Sequence, residues 1–131
     1  MTKIIIASGP VIVENNQVLL NQHGDDNFWK FCGGKVEDYE KTLFAAAERE
    51  IQEEMGLKIE VLNLEPFITW TYKLLNNEMI DVLLVHYLAK RIGEIKAGPD
   101  IREWQWFAID NLPDNLAPNI IPALKHFGFI K

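Results

Sequence analysis

Four residues of one short run, Arg49, Glu50, Glu53 and Glu54, have types and spacings that can do chemistry. On a helix the three glutamates stand at i, i+3 and i+4 and fall within an arc of about 100°. Glu54 then projects into the margin of an apolar face formed by Leu43, Phe44, Ala47, Ile51 and Met55. Like charges at these spacings disfavour a helix by about 0.2–0.5 kcal/mol per pair. Partial burial raises that cost unless a cation is present. Oxygen-only ligands select a hard cation, and magnesium keeps waters and substrate phosphates in its remaining positions. The implied substrate carries phosphate. The competing reading is a solvated acidic helix face on which Arg49 simply pairs with Glu53.

The elements that must position these residues are legible along the chain. Thr42 is an N-cap for a helix over Leu43 to Met55, and Gly56 stands where a C-cap glycine belongs. Ile4 to Val13 and Val18 to Leu20, separated by Glu14-Asn15-Asn16-Gln17, read as a β-hairpin. A polar loop, His23 to Asn27, leads through Phe28-Trp29-Lys30-Phe31 to Gly33-Gly34, backbone that can approach a ligand closely. Beyond the helix, Ile59 to Leu64 reads as a strand. Phe67 to Leu75 and Met79 to Ala89 read as a second hairpin turning at Asn76-Asn77. Val82 to Val85 is apolar on both faces and predicts a central strand in a covered sheet. Trp104 to Ile109 predicts a further strand and Ile120 to Phe127 a closing helix. Strands on both sides of one long helix argue a mixed α/β domain, one domain over residues 1–131.

Composition narrows the function classes. Thirteen basic against nineteen acidic side chains give a net charge of −6, a field that repels a nucleic acid polymer. The single cysteine, Cys32, excludes an intrachain disulfide and a cysteine-built zinc site, and a reducing cytoplasm is the expected compartment. The apolar start is too short for a signal peptide. The longest uncharged apolar stretch, Val82 to Ala89, is far below the roughly 18 residues of a membrane-spanning helix. His23, His86 and His126 show no metal-ligand spacing.

The stretch Gly34 to Leu57, GKVEDYEKTLFAAAEREIQEEMGL, resembles the box of the Nudix hydrolase family: Gly, five residues, Glu, seven residues, Arg-Glu-apolar-x-Glu-Glu-x-Gly-apolar. Its second half is met at every fixed position by Arg49, Glu50, Ile51, Glu53, Glu54, Gly56 and Leu57. Two features depart from the pattern. One residue is inserted before Thr42, so that eight rather than seven residues separate Glu40 from Arg49, and Cys32 stands where many members have proline. The approach Trp29 to Gly34 and the segment Trp104 to Phe107 with Asp110 to Pro113 look familial as well, Trp29 and Trp106 sitting where the family keeps structural aromatics.

The resemblance implies a Nudix-like α/β/α sandwich with a mixed β-sheet. It also implies a Mg²⁺-dependent pyrophosphohydrolase, with Mn²⁺ as a substitute, that cleaves a nucleoside diphosphate linked to another moiety by attack of water on phosphorus. A nucleoside triphosphate is the first substrate considered; a dinucleoside polyphosphate, ADP-ribose or a nucleotide sugar are alternatives. By matched position Glu50, Glu53, Glu54 and the Gly33 carbonyl are metal ligands, and Arg49 orients a glutamate, with Glu40 the candidate. Glu53 and Glu54 are also catalytic candidates. The general base is left between the box and two later acids, Glu103, ranked first for reach, and Asp100. Gly34, Lys35, Phe31 and Trp70 are the expected substrate contacts, and Tyr72 lies near a tyrosine position of dinucleoside polyphosphate hydrolases. Many relatives pair as dimers, which leaves a homodimer open. A Nudix-fold nucleotide-binding or regulatory module without catalysis is the rival from another class. A carboxylate-bridged di-iron protein fails because it needs several helices with Glu-x-x-His pairs.

Overall fold

The computed structural model describes residues 3–131. Strands β1 (Ile4–Glu14) and β2 (Gln17–His23) turn at Asn15 and Asn16, both with positive φ, a two-residue turn matched to strand twist. The hairpin is expected, but its pairing is brief: Val13 faces Val18 and Glu14 faces Gln17. Most of β1 instead runs parallel to β6 (Glu78–Ile92), from Ile4 beside Asp81 to Ile12 beside Ala89. Most of β2 pairs antiparallel with β7 (Ile101–Ala108). The very short β3 (Gly34–Lys35) pairs with β1 at Ser8 and Ala7.

Helix α1 (Leu43–Met55) has the expected bounds. The Thr42 hydroxyl accepts the Ala45 N–H at 2.9 Å, worth about 1 kcal/mol. Gly56 closes the helix at φ 65°, its N–H donating to the Gln52 carbonyl. Strand β4 (Lys58–Val61) is shorter than predicted, because the Asn63 side chain accepts the Glu65 N–H and turns the chain. Strand β5 (Phe67–Leu75) returns through Asn76 and Asn77, again at positive φ, into β6. β7 begins three residues before the predicted start and ends in a 3-10 turn at Ile109–Asn111; α2 is Ile120–His126.

The strand order is β4-β6-β1-β2-β7, with β5 also on β6 and β3 on β1. β6 is central, as its apolar run predicted, although Leu83 and Leu84 are only half-buried. Side chains alternate across this sheet and build two cores. On one face Ile12 and Leu19 pack with Ala47, Ile51 and Met55 of α1. On the other Val11, Val18 and Leu20 pack with Trp29, Phe31, Ile120 and Leu124 around α2. The α/β/α sandwich with a mixed sheet follows directly from that division. Among the described residues no helix is long and apolar enough to cross a membrane.

Candidate active site

Arg49 is the hub of the helix end. Its Nη2 donates to Glu40 Oε1 at 3.0 Å and to the Lys35 carbonyl at 2.9 Å, and lies 2.9 Å from Glu50 Oε1. Its Nη1 donates to Glu53 Oε2 at 3.1 Å. The hydrogen bond to Arg49 holds the Glu40 carboxyl below the ordinary carboxylate range, and Glu40 in turn keeps the guanidinium charged. Glu50 goes the other way. Burial pushes its carboxyl up, Arg49 counters in part, and the neighbouring Glu54 and Glu53 add to the rise.

The glycine pair brings the helix to the strand edge. The Gly33 N–H donates to Glu54 Oε1 at 2.7 Å. A Cβ on Gly34 would lie 2.6 Å from Glu50 Oε1, so only glycine leaves that carboxylate its place. Gly33 has φ +151°, and a Cβ there would meet the Ser8 carbonyl at 2.7 Å. Glu54 is buried, whereas the Glu53 side chain is 59% exposed. The second oxygen of Glu54 lies 2.6 Å from His23 Nε2, off the line of a hydrogen bond, so their contact is ionic when the imidazole is protonated. Arg102 holds the turn after His23 by donating to the Gly24 and Asp26 carbonyls and to the Gln22 side chain.

The opposite sheet face opens into a cleft of about 610 Å³, within the size range of small-molecule sites. Its walls include Ile5, Thr69, Thr71, Val82 and Leu84, with Lys30, Lys35 and Lys73 as its cations. Phe31, His86 and Asn119 stand together at this cleft; the Phe31 and His86 rings are 4.8 Å apart. The His86 Nδ1–H donates to the Gly9 carbonyl at 3.2 Å, which leaves Nε2 to accept the Asn119 side-chain N–H at 2.9 Å. Burial drives the His86 pKa down to about 4, so the ring is neutral. Its tautomer fixes the Asn119 amide and leaves one N–H and the carbonyl oxygen of that amide for another partner. Gly33 and Gly34 also border this cleft, which makes them the link between it and the carboxylates.

Among the described residues no three His, Cys, Asp or Glu side chains form a ready metal cluster. The donor chemistry nevertheless suits a hard divalent cation. Glu50 and Glu53 are held by Arg49 and Glu54 by the Gly33 N–H, positive or donating groups that give the charge complement a cation supplies.

Other residues singled out from the sequence fall as follows. Phe31 is buried in the cleft wall. Trp70 borders the cleft through its strand, but it pairs with Leu83 on the opposite sheet face, where its side chain is 51% exposed; Tyr72 stands on that same face. Asp100 follows a turn docked on the helix end by the Gly98 N–H, which donates to the Glu54 carbonyl at 2.8 Å. Glu103 pairs with Gln22, one position before His23, and so faces away from His23 and Glu54. His23, His86, Asn119 and Lys73 were missed by the sequence reading. Their only signal is tertiary, since none has a spacing that marks it.

A family model described as NUDIX domain matches residues 5–127. The ADP-ribose pyrophosphatase of Methanocaldococcus jannaschii is 33% identical over 112 residues, covering 82% of this chain and 64% of that protein. This chain thus spans less than two thirds of that relative's length. The crystal structure of a MutT NUDIX hydrolase from Burkholderia pseudomallei superposes with a TM-score of 0.75 at 27% identity, over 94% of this chain and 97% of that one. The solution structure of the E. coli ORF135 protein gives 0.70 at 25% identity, over 96% and 89%.

Proposed function

This chain belongs to the Nudix family, and from that premise we propose that it is a divalent-metal-dependent hydrolase of nucleoside diphosphates linked to another moiety. Nudix hydrolases generally need divalent metal ions; Mg²⁺ is the ion proposed here, with Mn²⁺ as substitute. Glu50, Glu53, Glu54 and the Gly33 carbonyl would hold it. When bound, such an ion would screen the pyrophosphate and acidify a water. Arg49 keeps Glu40, Glu50 and Glu53 aligned. Lys35 and Lys73 give the cleft the positive charge that phosphates require on a protein of net charge −6, while the Lys30 ammonium is paired with Asp26. The Asn119 amide, oriented by His86, offers one donor and one acceptor to a base edge, and Phe31 supplies an apolar wall beside it.

The observation that supports this reading best is the shared glycine pair. Gly33 and Gly34 touch Glu54 and Glu50 on one side and border the cleft on the other, so a nucleotide in the cleft has its phosphates directed to the carboxylates. The proposed substrate is a nucleoside triphosphate. ADP-ribose is the second reading, because the 33% identical relative is named an ADP-ribose pyrophosphatase. A panel of nucleoside triphosphates, ADP-ribose, nucleotide sugars and dinucleoside polyphosphates with Mg²⁺, assayed for phosphate, pyrophosphate and nucleoside monophosphate, separates them. Turnover of none of these would leave the nucleotide-binding module as the better account.

A further inference from the structure

The cleft extends well past the glycine pair, and its floor follows the strands in register. Lys35, Ala7, Leu84 and Thr69 form one row across β3, β1, β6 and β5; Ile5, Val82 and Thr71 form the next, and Ile80 with Lys73 the third. Alternation puts all of these side chains on the α2 side of the sheet. α2 itself packs at the other end of that face, in the cluster that holds Val11, Phe67 and Leu88. Phe31, His86 and Asn119 stand toward that covered end, and Gly33 and Gly34 meet the sheet at Gly9 and Ser8, level with His86 and Val85. From Val85 to Ile80, the partner of Lys73, the sheet runs on for roughly 16 Å at about 3.3 Å per residue. A base at Asn119 with its diphosphate at the glycine pair leaves this arm of the cleft free.

The free arm has its own chemistry. Thr69 and Thr71 bring hydroxyls, each able to donate and accept, to an apolar floor of Ile5, Val82 and Leu84, and Lys73 stands at its end. Among the described residues that line the cleft there is no carboxylate, in a chain that carries nineteen. The acid nearest Lys73 by register on this face is Glu78, one row on beside Leu75. The three cations of the cleft have different surroundings. Lys30 is paired with Asp26 at 3.0 Å, and Lys35 follows Gly34 at the place of the diphosphate. Lys73 is exposed and makes no ion pair among the described residues, so its charge is available to a group beyond the diphosphate.

We propose that Lys73, with Thr69 and Thr71, forms a specificity-determining subsite for the moiety linked to the nucleoside diphosphate, and that it selects moieties carrying an anionic group. The inference rests on the assignment of the cleft to such a substrate. The anion is the terminal phosphate of a nucleoside triphosphate or a carboxylate or phosphate borne by a linked sugar, and an ammonium on a flexible stem meets either. Lys35 does not discriminate, because it meets the diphosphate that every substrate shares.

Two comparisons test the subsite. UDP-glucuronate and UDP-glucose differ only in a carboxylate for a hydroxymethyl group, and ATP and ADP-ribose set a terminal phosphate against a neutral sugar. For each pair the ratio of the anionic to the neutral member is measured as kcat/KM with Mg²⁺ and as affinity by calorimetry without metal. Lys73→Met is expected to lower that ratio about tenfold, the worth of one hydrogen bond to a charged group. Lys73→Arg should keep it, and Lys35→Met should weaken both members alike. Lys73 is exposed, so the circular dichroism spectrum should stay that of the wild type. A fall confined to the first pair assigns the subsite to a sugar-borne anion, and one confined to the second assigns it to a terminal phosphate. Ratios that Lys73→Met leaves unchanged in both pairs would overturn the subsite while turnover still supports the hydrolase. Lys73-dependent binding with no turnover of any nucleotide would overturn the hydrolase and keep the subsite, and neither binding nor turnover would overturn both.

Discussion

Glu50 and Gly34 are in contact across the gap between helix and strand, the carboxylate occupying the space where any side chain at position 34 would begin. That contact ties the acidic helix to the cleft and makes Gly34→Ala a sharp test. The added methyl, 2.6 Å from Oε1, forces Glu50 aside. We expect a loss of kcat of about 10–100-fold, as for other disturbances of ligand orientation, with the thermal midpoint lowered only modestly. Steady-state kinetics and a melting curve check both. Unchanged kcat would remove Glu50 from the site.

Arg49 serves four acceptors at once, the carboxylates of Glu40, Glu50 and Glu53 and the Lys35 carbonyl. A lysine keeps the charge but not the fork. Arg49→Lys should therefore reduce activity by about 10–100-fold and raise the metal concentration needed for half-maximal rate. A metal titration of the variant measures this, and wild-type behaviour would reduce Arg49 to a surface pair.

His86 predicts a pH dependence of stability. Its folded-state pKa, about 4, lies below the ordinary histidine value of 6.5, so the neutral ring is the stabilised form. The contribution is fully present above pH 6.5 and is lost as pH falls toward 4, amounting to at most about 3 kcal/mol. Denaturant unfolding of the wild type and His86→Gln over this window should show a one-proton slope in the former that the latter lacks. Parallel curves would contradict the assignment.

Asp100 and Glu103 can be ranked by the same kinetics. Asp100→Asn is expected to lower kcat more than Glu103→Gln, because Glu103 faces away from Glu54 and should tolerate substitution with less than about a twofold change. A larger loss in Glu103→Gln would restore the order suggested by side-chain length.

The parts of this molecule that are local in sequence were legible there. Thr42 and Gly56 bound the helix because capping is decided within four residues, and Asn76-Asn77 marks its turn because positive φ is a property of the residue itself. Glu50, Glu53 and Glu54 could be placed together for the same reason. What depended on pairing between distant segments was not legible. The first hairpin separates after two residue pairs as β2 turns to β7, while the other edge of β1 pairs in parallel with β6, from Ile4 beside Asp81 to Ile12 beside Ala89. Alternation along β5 separates Trp70 from Thr69 and Thr71, and only the register of the sheet reveals which face holds the cleft. His86 and Asn119 meet across 33 positions, and His23 reaches Glu54 from another strand, contacts that no spacing rule anticipates.

The central claim is that the carboxylates of one helical turn hold the cation on which hydrolysis depends. Its most direct test is the rate of nucleotide hydrolysis by Glu54→Gln and Glu53→Gln, with Mn²⁺ binding followed by electron paramagnetic resonance on the same samples. The account predicts that both substitutions weaken Mn²⁺ binding, and that turnover falls at least about 100-fold in variants that keep the wild-type circular dichroism spectrum. Full turnover in either variant, with Mn²⁺ bound as tightly as before, would contradict it.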